Sequence, residues 1–393
     1  MLDGKIKLMV IGHEASLSGA PVLLLNLFNL LIQQEKVSVQ FVIRRDGPLV
    51  PEYAKIAPVT VLKSTDYGRE NNKAGKIINF FSNKLQLAKV LVKATSCDVL
   101  FCNTIVNGKL LRWFYLHKKP VITYVHELEH VINLYIKQKD ATLPLKKSDI
   151  IAYPAEVTKN ILTNQYKVDL SKLAKLSYYL PFTREKFDPA TAEKKNTDFR
   201  SKFRISDNEF LIGSMGVVSN RKGIDLFIDV CEKVVSVKNM VKFCWIGKFE
   251  SIEQETTIRK LVSERNLGNN IIFTGPLPHD FYNLSPFDIF FLSSREDTYP
   301  MVVLEAAIMK VPTACFSGSG GIVEFVADDA GWIIENFSTE KVAEKFIELE
   351  SDRSAIEKRG RQAFEKAINL HCNPKIVIDQ FAAITNQLTT LRN

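Results

Sequence analysis

Between Ser293 and Pro312 the sequence SSREDTYPMVVLEAAIMKVP sets three carboxylates around a Tyr-Pro turn: Glu296 and Asp297 before it, and Glu305 on an apolar stretch after it. Asp297 falls at the end of a strand-like run and Glu305 about a turn or two into the next helix, so both can point into one place. Carboxylates held this way can accept hydrogen bonds from hydroxyl pairs such as those of a ribose or a hexose. Upstream, GSMGVVSNRKGIDLFIDV joins a strand to a helix through adjacent Arg221 and Lys222 and then Gly223. Two cations beside a helix N-terminus suit a diphosphate, because fixed charge and backbone N–H groups act together on negative charge. The loop FSGSGGIVEFV carries Gly318, Gly320 and Gly321, where backbone could approach phosphate oxygens with no side chain in the way. Near the start, GHEASLSGAPVLLLNL leaves a strand and enters a helix, with Gly19 beside the exposed N–H groups and Pro21 in the first turn. His126 ends the run VITYVHE and could donate to a sugar hydroxyl or a carbonyl near neutral pH. Each signal has a plainer counterpart: a tight glycine turn, a solvated Arg-Lys turn, a histidine hydrogen-bonded at a strand end.

The elements that must hold these residues alternate regularly. Short β-branched runs (IKLMVIG, VSVQFVI, VTVLK, DVLFCN, VITYVHE, DIIAYPA) are interleaved with helical patterns, the rhythm of a parallel sheet. A polar, charged stretch from Pro181 to Ser206 interrupts it, and the domain boundary is read there. The rhythm then restarts with FLIGSMGVV, VKFCWIG, NIIFTG, DIFFLSS, PTACFS and GWIIE, with helices expected over Ile224–Val235, Gln254–Arg265 and Met301–Met309. Two doubly wound α/β domains in tandem follow, with ligands expected at the carboxyl ends of the strands, where the domains face each other across a cleft.

Composition bounds the partners. The chain has 393 residues, 46% of them hydrophobic, enough for two domains of roughly 150 to 200 residues. The most apolar window, Pro21 to Ile32, is shorter than the roughly 20 residues of a membrane span, and no signal-like segment opens the chain; a cytoplasmic location is expected. Six cysteines without CxxC or Cys/His spacing argue against structural disulfides and zinc. His126 and His130 share a helical spacing but lack the HExxH pattern, and Asp328-Asp329 has no further ligand nearby, so no metal is expected. The net charge of +8 is uneven: residues 1–185 hold 26 Lys and Arg against 15 Asp and Glu, about +11, leaving about −3 for the rest. No nucleic-acid motif accompanies these cations, so an anionic membrane surface or a phosphorylated substrate is the better partner.

Taken together, DTYPMVVLEA resembles the E-x7-E motif of the retaining glycosyltransferases of family 4 (glycosyl transferases group 1), in a variant with Asp for the first Glu. SLSGA resembles that family's first glycine loop, CNT and YVHE its N-domain strand ends, RKG its phosphate-binding turn, FTGPL its base-side strand and GSGGIVEFV its GG-x-x-E loop. The resemblance spans nearly the whole chain and is densest from Gly213 to Glu324. It implies a GT-B fold: an acceptor-binding domain over 1–185, a donor-binding domain over 186–372, and a C-terminal helix over 373–393 packing back on the first domain. It also implies that His126 touches the donor sugar, that Lys222 holds the diphosphate with Arg221, Gly19, Gly320 and Gly321 nearby, that Asp297 lies beside the sugar and that Glu305 binds the ribose. The implied co-substrate is a UDP- or GDP-sugar, with no cofactor or metal. The acceptor would be a carbohydrate or lipid-linked hydroxyl of surface polysaccharide or glycolipid assembly. The pattern departs at Val217, where many members carry an arginine; Arg221 is the neighbouring charge that could replace it.

Two other classes bear on the same residues. A non-catalytic nucleotide-sugar-binding subunit would be favoured by Val217, and a nucleotide-sugar epimerase would not be expected to carry the E-x7-E-like spacing. The segment Lys73 to Lys93, KAGKIINFFSNKLQLAKVLVK, reads as a helix with Ile77, Phe81, Leu85, Ala88 and Val92 on one face, flanked by Lys73, Lys76, Lys84, Lys89 and Lys93. That face either packs on the sheet or meets an anionic membrane, which would make the protein peripheral on the inner face of the cell membrane.

Overall fold

A computed structural model describes residues 5–62, 73–136 and 142–390. The chain divides into two compact units, Met1–Pro181 with Asn373–Asn393, and Phe182–Cys372. The first unit runs β1 (Ile6–Gly12), α1 (Gly19–Gln33), β2 (Val37–Ile43), α2 (Val50–Ile56), β3 (Val59–Val61), α3 (Lys73–Ala94), β4 (Val99–Asn103), α4 (Gly108–Phe114), β5 (Val121–Tyr124), α5 (Glu129–Ile136), α6 (Leu143–Lys147), β6 (Ile150–Tyr153), α7 (Glu156–Asn164) and β7 (Leu173–Lys175). Its seven strands are parallel in the order β3-β2-β1-β4-β5-β6-β7. The order reverses between β1 and β4, so the loops leaving these strands splay apart and open a crevice at their carboxyl ends.

The second unit runs α8 (Pro189–Phe203), β8 (Phe210–Met215), α9 (Ile224–Val235), β9 (Val241–Ile246), α10 (Ile252–Glu264), β10 (Ile271–Gly275), β11 (Ile289–Leu292), α11 (Met301–Ile308), β12 (Thr313–Phe316), α12 (Ile322–Val326), β13 (Gly331–Ile334), α13 (Thr339–Ser351) and α14 (Arg353–Leu370). Six parallel strands lie in the order β10-β9-β8-β11-β12-β13, with the reversal between β8 and β11. The strands read as near-continuous apolar runs because helices cover both faces. One face is an aromatic core in which Phe227 meets Phe243 and Trp245 edge-on at 5.2 and 5.1 Å. The last helix, α15 (Pro374–Thr390), returns to the first unit, where Phe381 packs edge-on against Phe28 of α1 and the Gln380 side chain accepts from Ser177 N–H at 2.7 Å.

The polar stretch in which the domain boundary is read, Pro181 to Ser206, holds the division between the units at Pro181 and Phe182 and, after it, the helix α8. Asp188 caps it by accepting from Ala190 and Thr191 N–H, Pro189 occupies its first turn, and Phe199 and Arg200 are its buried residues. The helix escapes an apolar-periodicity reading because it buries so few side chains. The sequence reading also omits β7, a three-residue edge strand with no apolar run of its own.

Candidate functional site

In the second unit, the turn after β8 and the loop after β11 meet at the point where the strand order reverses. Lys222 Nζ is paired with Asp297 Oδ2, and Arg221 lies 3.8 Å from the same oxygen. Both Lys222 and Asp297 are mostly covered, so their attraction is weakly screened. The turn is fastened at four points. Arg221 NH1 donates to the Glu296 carbonyl (2.8 Å), Arg295 N–H to the Arg221 carbonyl (2.9 Å), Ser293 Oγ to the Lys222 carbonyl (2.9 Å), and Arg295 NH1 to both the Asn220 carbonyl (2.8 Å) and Asp225 (2.7 Å). Gly223 has φ +75°, a conformation that glycine adopts without penalty, and it leads directly into α9.

The third glycine loop joins this cluster. Asp297 N–H donates to the Ser319 carbonyl (2.8 Å), Ser319 Oγ to the Ser294 carbonyl (3.0 Å), and Gly321 N–H to the Thr298 carbonyl (3.0 Å). That last bond engages the Gly321 N–H within the protein and ties the glycine loop to the Tyr-Pro turn. Gly320, at φ +114°, forms an isolated bridge with Asp297. Glu305 lies on α11, 8% exposed, with Oε1 3.3 Å from His279 Nε2. The carboxylate raises the His279 pKa above its usual value by hydrogen bonding and charge. Val217 is 40% exposed, so apolar packing does not dictate its identity.

In the first unit, His126 follows β5 and Asn103 ends β4. His126 Nε2 faces Asn103 Oδ1 at 2.8 Å, and Nδ1 faces Tyr178 Oη at 2.9 Å. An amide oxygen only accepts, so Nε2 carries the proton and Nδ1 accepts from the tyrosine. Burial lowers the His126 pKa to about 3, with a smaller contribution from His13, and keeps the ring neutral. Both nitrogens are thus engaged within the protein, and a sugar contact would replace one of these bonds. At β1's end, burial, opposed by the nearby Glu14 carboxylate, lowers the His13 pKa from its usual value, and its Nδ1 is a buried nitrogen without a hydrogen-bond partner. Gly19 opens α1, where a Cβ would meet nothing within 4 Å. Packing therefore does not demand glycine there.

Sequence reasoning passed over Arg295, His279, Tyr178 and Glu127. The signal for Glu127 was its place beside His126. Its buried carboxylate accepts from His126 N–H at 2.9 Å and is bonded by Ile105 and Thr104, the latter at φ +73°. Burial nonetheless pushes its pKa from 4.5 up to about 7. The folded state then binds more protons than the unfolded state between these values, so the Glu127 contribution to stability falls as pH rises through that window. Glu127→Gln cannot titrate. We expect the stability difference between wild type and variant to change from pH 4.5 to 7.5 in that direction, measured by urea unfolding. The opposing effect of the buried histidines is common to both proteins. A pH-independent difference would refute this.

Residues 195–366 match the family model of glycosyl transferases group 1. The chain carries a glycosyl transferases group 1 domain. It is 32% identical over 229 residues to alpha-galactosylglucosyldiacylglycerol synthase of Streptococcus pneumoniae, covering 54% of this chain and 51% of that protein. It is 28% identical over 170 residues to poly(ribitol-phosphate) alpha-N-acetylglucosaminyltransferase of Staphylococcus aureus, covering 43% and 34%. The chain thus spans between about a third and about half of the length of these relatives. Among solved structures, Anabaena HepE in complex with UDP and glucose superposes with a TM-score of 0.79 at 15% identity, over 97% of this chain and 99% of that one. A glycosyltransferase from Rickettsia africae gives 0.74 at 17% identity over 98% and 99%. The glycosyl transferases group 1 domain lies within the second of two Rossmann-like units, and the fold is GT-B.

Proposed function

We propose that this protein transfers a sugar from a nucleoside diphosphate sugar, UDP- or GDP-linked, to a hydroxyl of a carbohydrate or lipid-linked acceptor in surface polysaccharide or glycolipid assembly, with retention of anomeric configuration. The observation that carries the reading is the fastened Arg221-Lys222 turn beside Asp297, with Glu305 in the helix that follows. As the bond from sugar to diphosphate breaks, negative charge grows on the leaving phosphate. Lys222 and Arg221 are already oriented there, so they stabilise that charge without reorganising. In the unliganded protein Lys222 is neutralised by Asp297; an incoming diphosphate takes over the ammonium and leaves the carboxylate for sugar hydroxyls. Glu305 accepts from the ribose hydroxyls through its second oxygen while His279 holds the first. His126, rigid and neutral, offers its Nε2–H to the sugar in place of Asn103. The scheme assigns no role to a metal; among the described residues no cluster of three His, Cys, Asp or Glu could hold one.

The cationic first unit supports a lipid-linked acceptor reached at an anionic membrane surface. Among the described residues no helix is long and apolar enough to cross a membrane, so such an encounter would be peripheral.

A thermal-shift screen of UDP-, GDP- and ADP-sugars identifies the donor, since a ligand at a hundredfold excess over Kd stabilises by about 2.7 kcal/mol. With that donor's nucleoside diphosphate, Glu305→Gln should weaken binding by roughly tenfold or more in calorimetry, because charge-assisted bonds to ribose are worth about 1.5–3 kcal/mol. Unchanged affinity would remove Glu305 from the nucleotide site.

A further inference from the structure

The helix α3 was open to two readings, with its apolar stripe on the sheet or facing outward, and the described side chains separate them. Among the described side chains of α3, Val90 and Ala94 are buried, together with Leu111 and Phe114 of α4 and with Met9, Ile11, Leu100 and Cys102 of the sheet. Leu85 and Val92, from the stripe, are 60% and 70% exposed, and Ala88 is exposed between them. The side chains of Lys73, Lys76, Ile77 and Phe81 lie outside the described residues. Because α3 and α4 share one buried cluster, they cover the same face of the sheet and present their outer sides together. The outer side of α4 and the turn after it carries Trp113 and Leu116, 41% and 74% exposed, with the Arg112 guanidinium 4.9 Å over the Trp113 ring.

The charge on this surface is one-sided. From Lys84 to Pro120 the sequence has Lys84, Lys89, Lys93, Lys109, Arg112, Lys118 and Lys119, against a single acid, Asp98. Asp98 accepts from Lys7 N–H at 2.8 Å, at the start of the sheet. A water-facing surface does not need four large apolar side chains among seven cations, and a polyphosphate chain would offer nothing to bury them. A lipid interface meets both demands. Aliphatic and indole groups enter the boundary of headgroups and acyl chains, and the long cationic stems reach anionic headgroups.

We propose that the outer faces of α3 and α4 form one docking surface for an anionic lipid bilayer, with Trp113 and Leu116 as its inserted anchor and the surrounding Lys and Arg as its electrostatic component. The purpose of the surface, bringing a lipid-linked acceptor within reach, rests on the function proposed above; the docking itself does not.

The test is co-sedimentation with phosphatidylcholine vesicles, with or without phosphatidylglycerol, at low and high salt, alongside tryptophan emission. The protein should bind the anionic vesicles alone, with binding reduced by salt. Its emission should shift to the blue on binding, and Trp113→Phe should abolish that shift, because Trp245 is buried and the half-buried Trp332 belongs to the second unit, with the Arg359 guanidinium over its ring. Leu116→Glu and the pair Lys89→Glu/Lys109→Glu, all at exposed positions, should each lower partitioning by about tenfold or more, while stabilisation by the nucleotide-sugar donor stays as in wild type. Failure to bind anionic vesicles, equal binding to neutral ones, binding to heparin that vesicles do not displace, or a blue shift that survives Trp113→Phe would each overturn the proposal. Loss of donor stabilisation in wild type, with vesicle binding intact, would instead overturn the proposed function and leave the docking surface standing.

Discussion

Lys222→Ala is expected to lower turnover by about a hundredfold or more, as removing a preorganised charge from a leaving group does. Two features of the turn make the loss larger than for an ordinary surface lysine. Lys222 is mostly covered, so water cannot readily replace its charge, and its carbonyl is held by Ser293, so the backbone does not drift to bring Arg221 into its place. Removing the ammonium also leaves Asp297 with Arg221 at 3.8 Å as its remaining cationic neighbour in the turn. The carboxylate, now balanced only by this longer contact, then faces the incoming diphosphate and repels it. The variant should therefore lose both donor affinity and turnover, read by calorimetry with nucleoside diphosphate and by initial rates at saturating donor. Lys222→Arg should recover binding better than turnover, since a planar guanidinium keeps the charge but not the compact geometry. Wild-type rates in Lys222→Ala would remove this residue from the chemistry.

How far the sequence led depended on what each residue needed. Strand–helix alternation is a short-range property, and it located twelve of the strands and the turns that leave them. The pairing of Lys222 with Asp297 was within reach because both follow strands that flank a reversal in order, and a doubly wound fold puts such loops together. Arg295 was not legible. Its partners Asn220, Arg221 and Asp225 lie far off in the chain, and an Arg before two acids reads as a solvated turn. Tyr178 likewise sits in a stretch without regular structure, and only the folded chain brings it to His126. The commitment of the Gly321 N–H to Thr298 was hidden for a related reason: a glycine signals permissive backbone, not which neighbour uses its hydrogen bond. The exposure of Leu85, Ala88 and Val92 was hidden because Val90 and Ala94, off the read stripe, are apolar too and can fill the sheet-facing side. Periodicity identifies candidate faces; the sheet's own side chains choose between them.

Gly223→Ala should damage the second unit's stability and its donor binding together. A Cβ built there would lie 2.0 Å from the Ser293 carbonyl oxygen, a backbone atom at the buried end of β11. A flexible side chain could move aside, but this carbonyl cannot shift without disturbing the sheet. The left-handed conformation costs a non-glycine residue about 1–2 kcal/mol, and overpacking a tight site about 1–3 kcal/mol more. The chain can relieve the clash by lifting the turn away from β11, and that motion would break the Ser293–Lys222 bond and carry the ammonium from Asp297. Stability and donor binding should therefore fall together, measured by denaturant unfolding and by calorimetry. Gly268→Ala is the control: it is exposed, and a Cβ there would meet nothing within 4 Å, so both measurements should stay near wild type. If Gly223→Ala were as well tolerated as Gly268→Ala, the turn would not be clamped against β11. Lys222 would then owe its position to Asp297 alone, and a diphosphate would meet a mobile charge in place of a preorganised one.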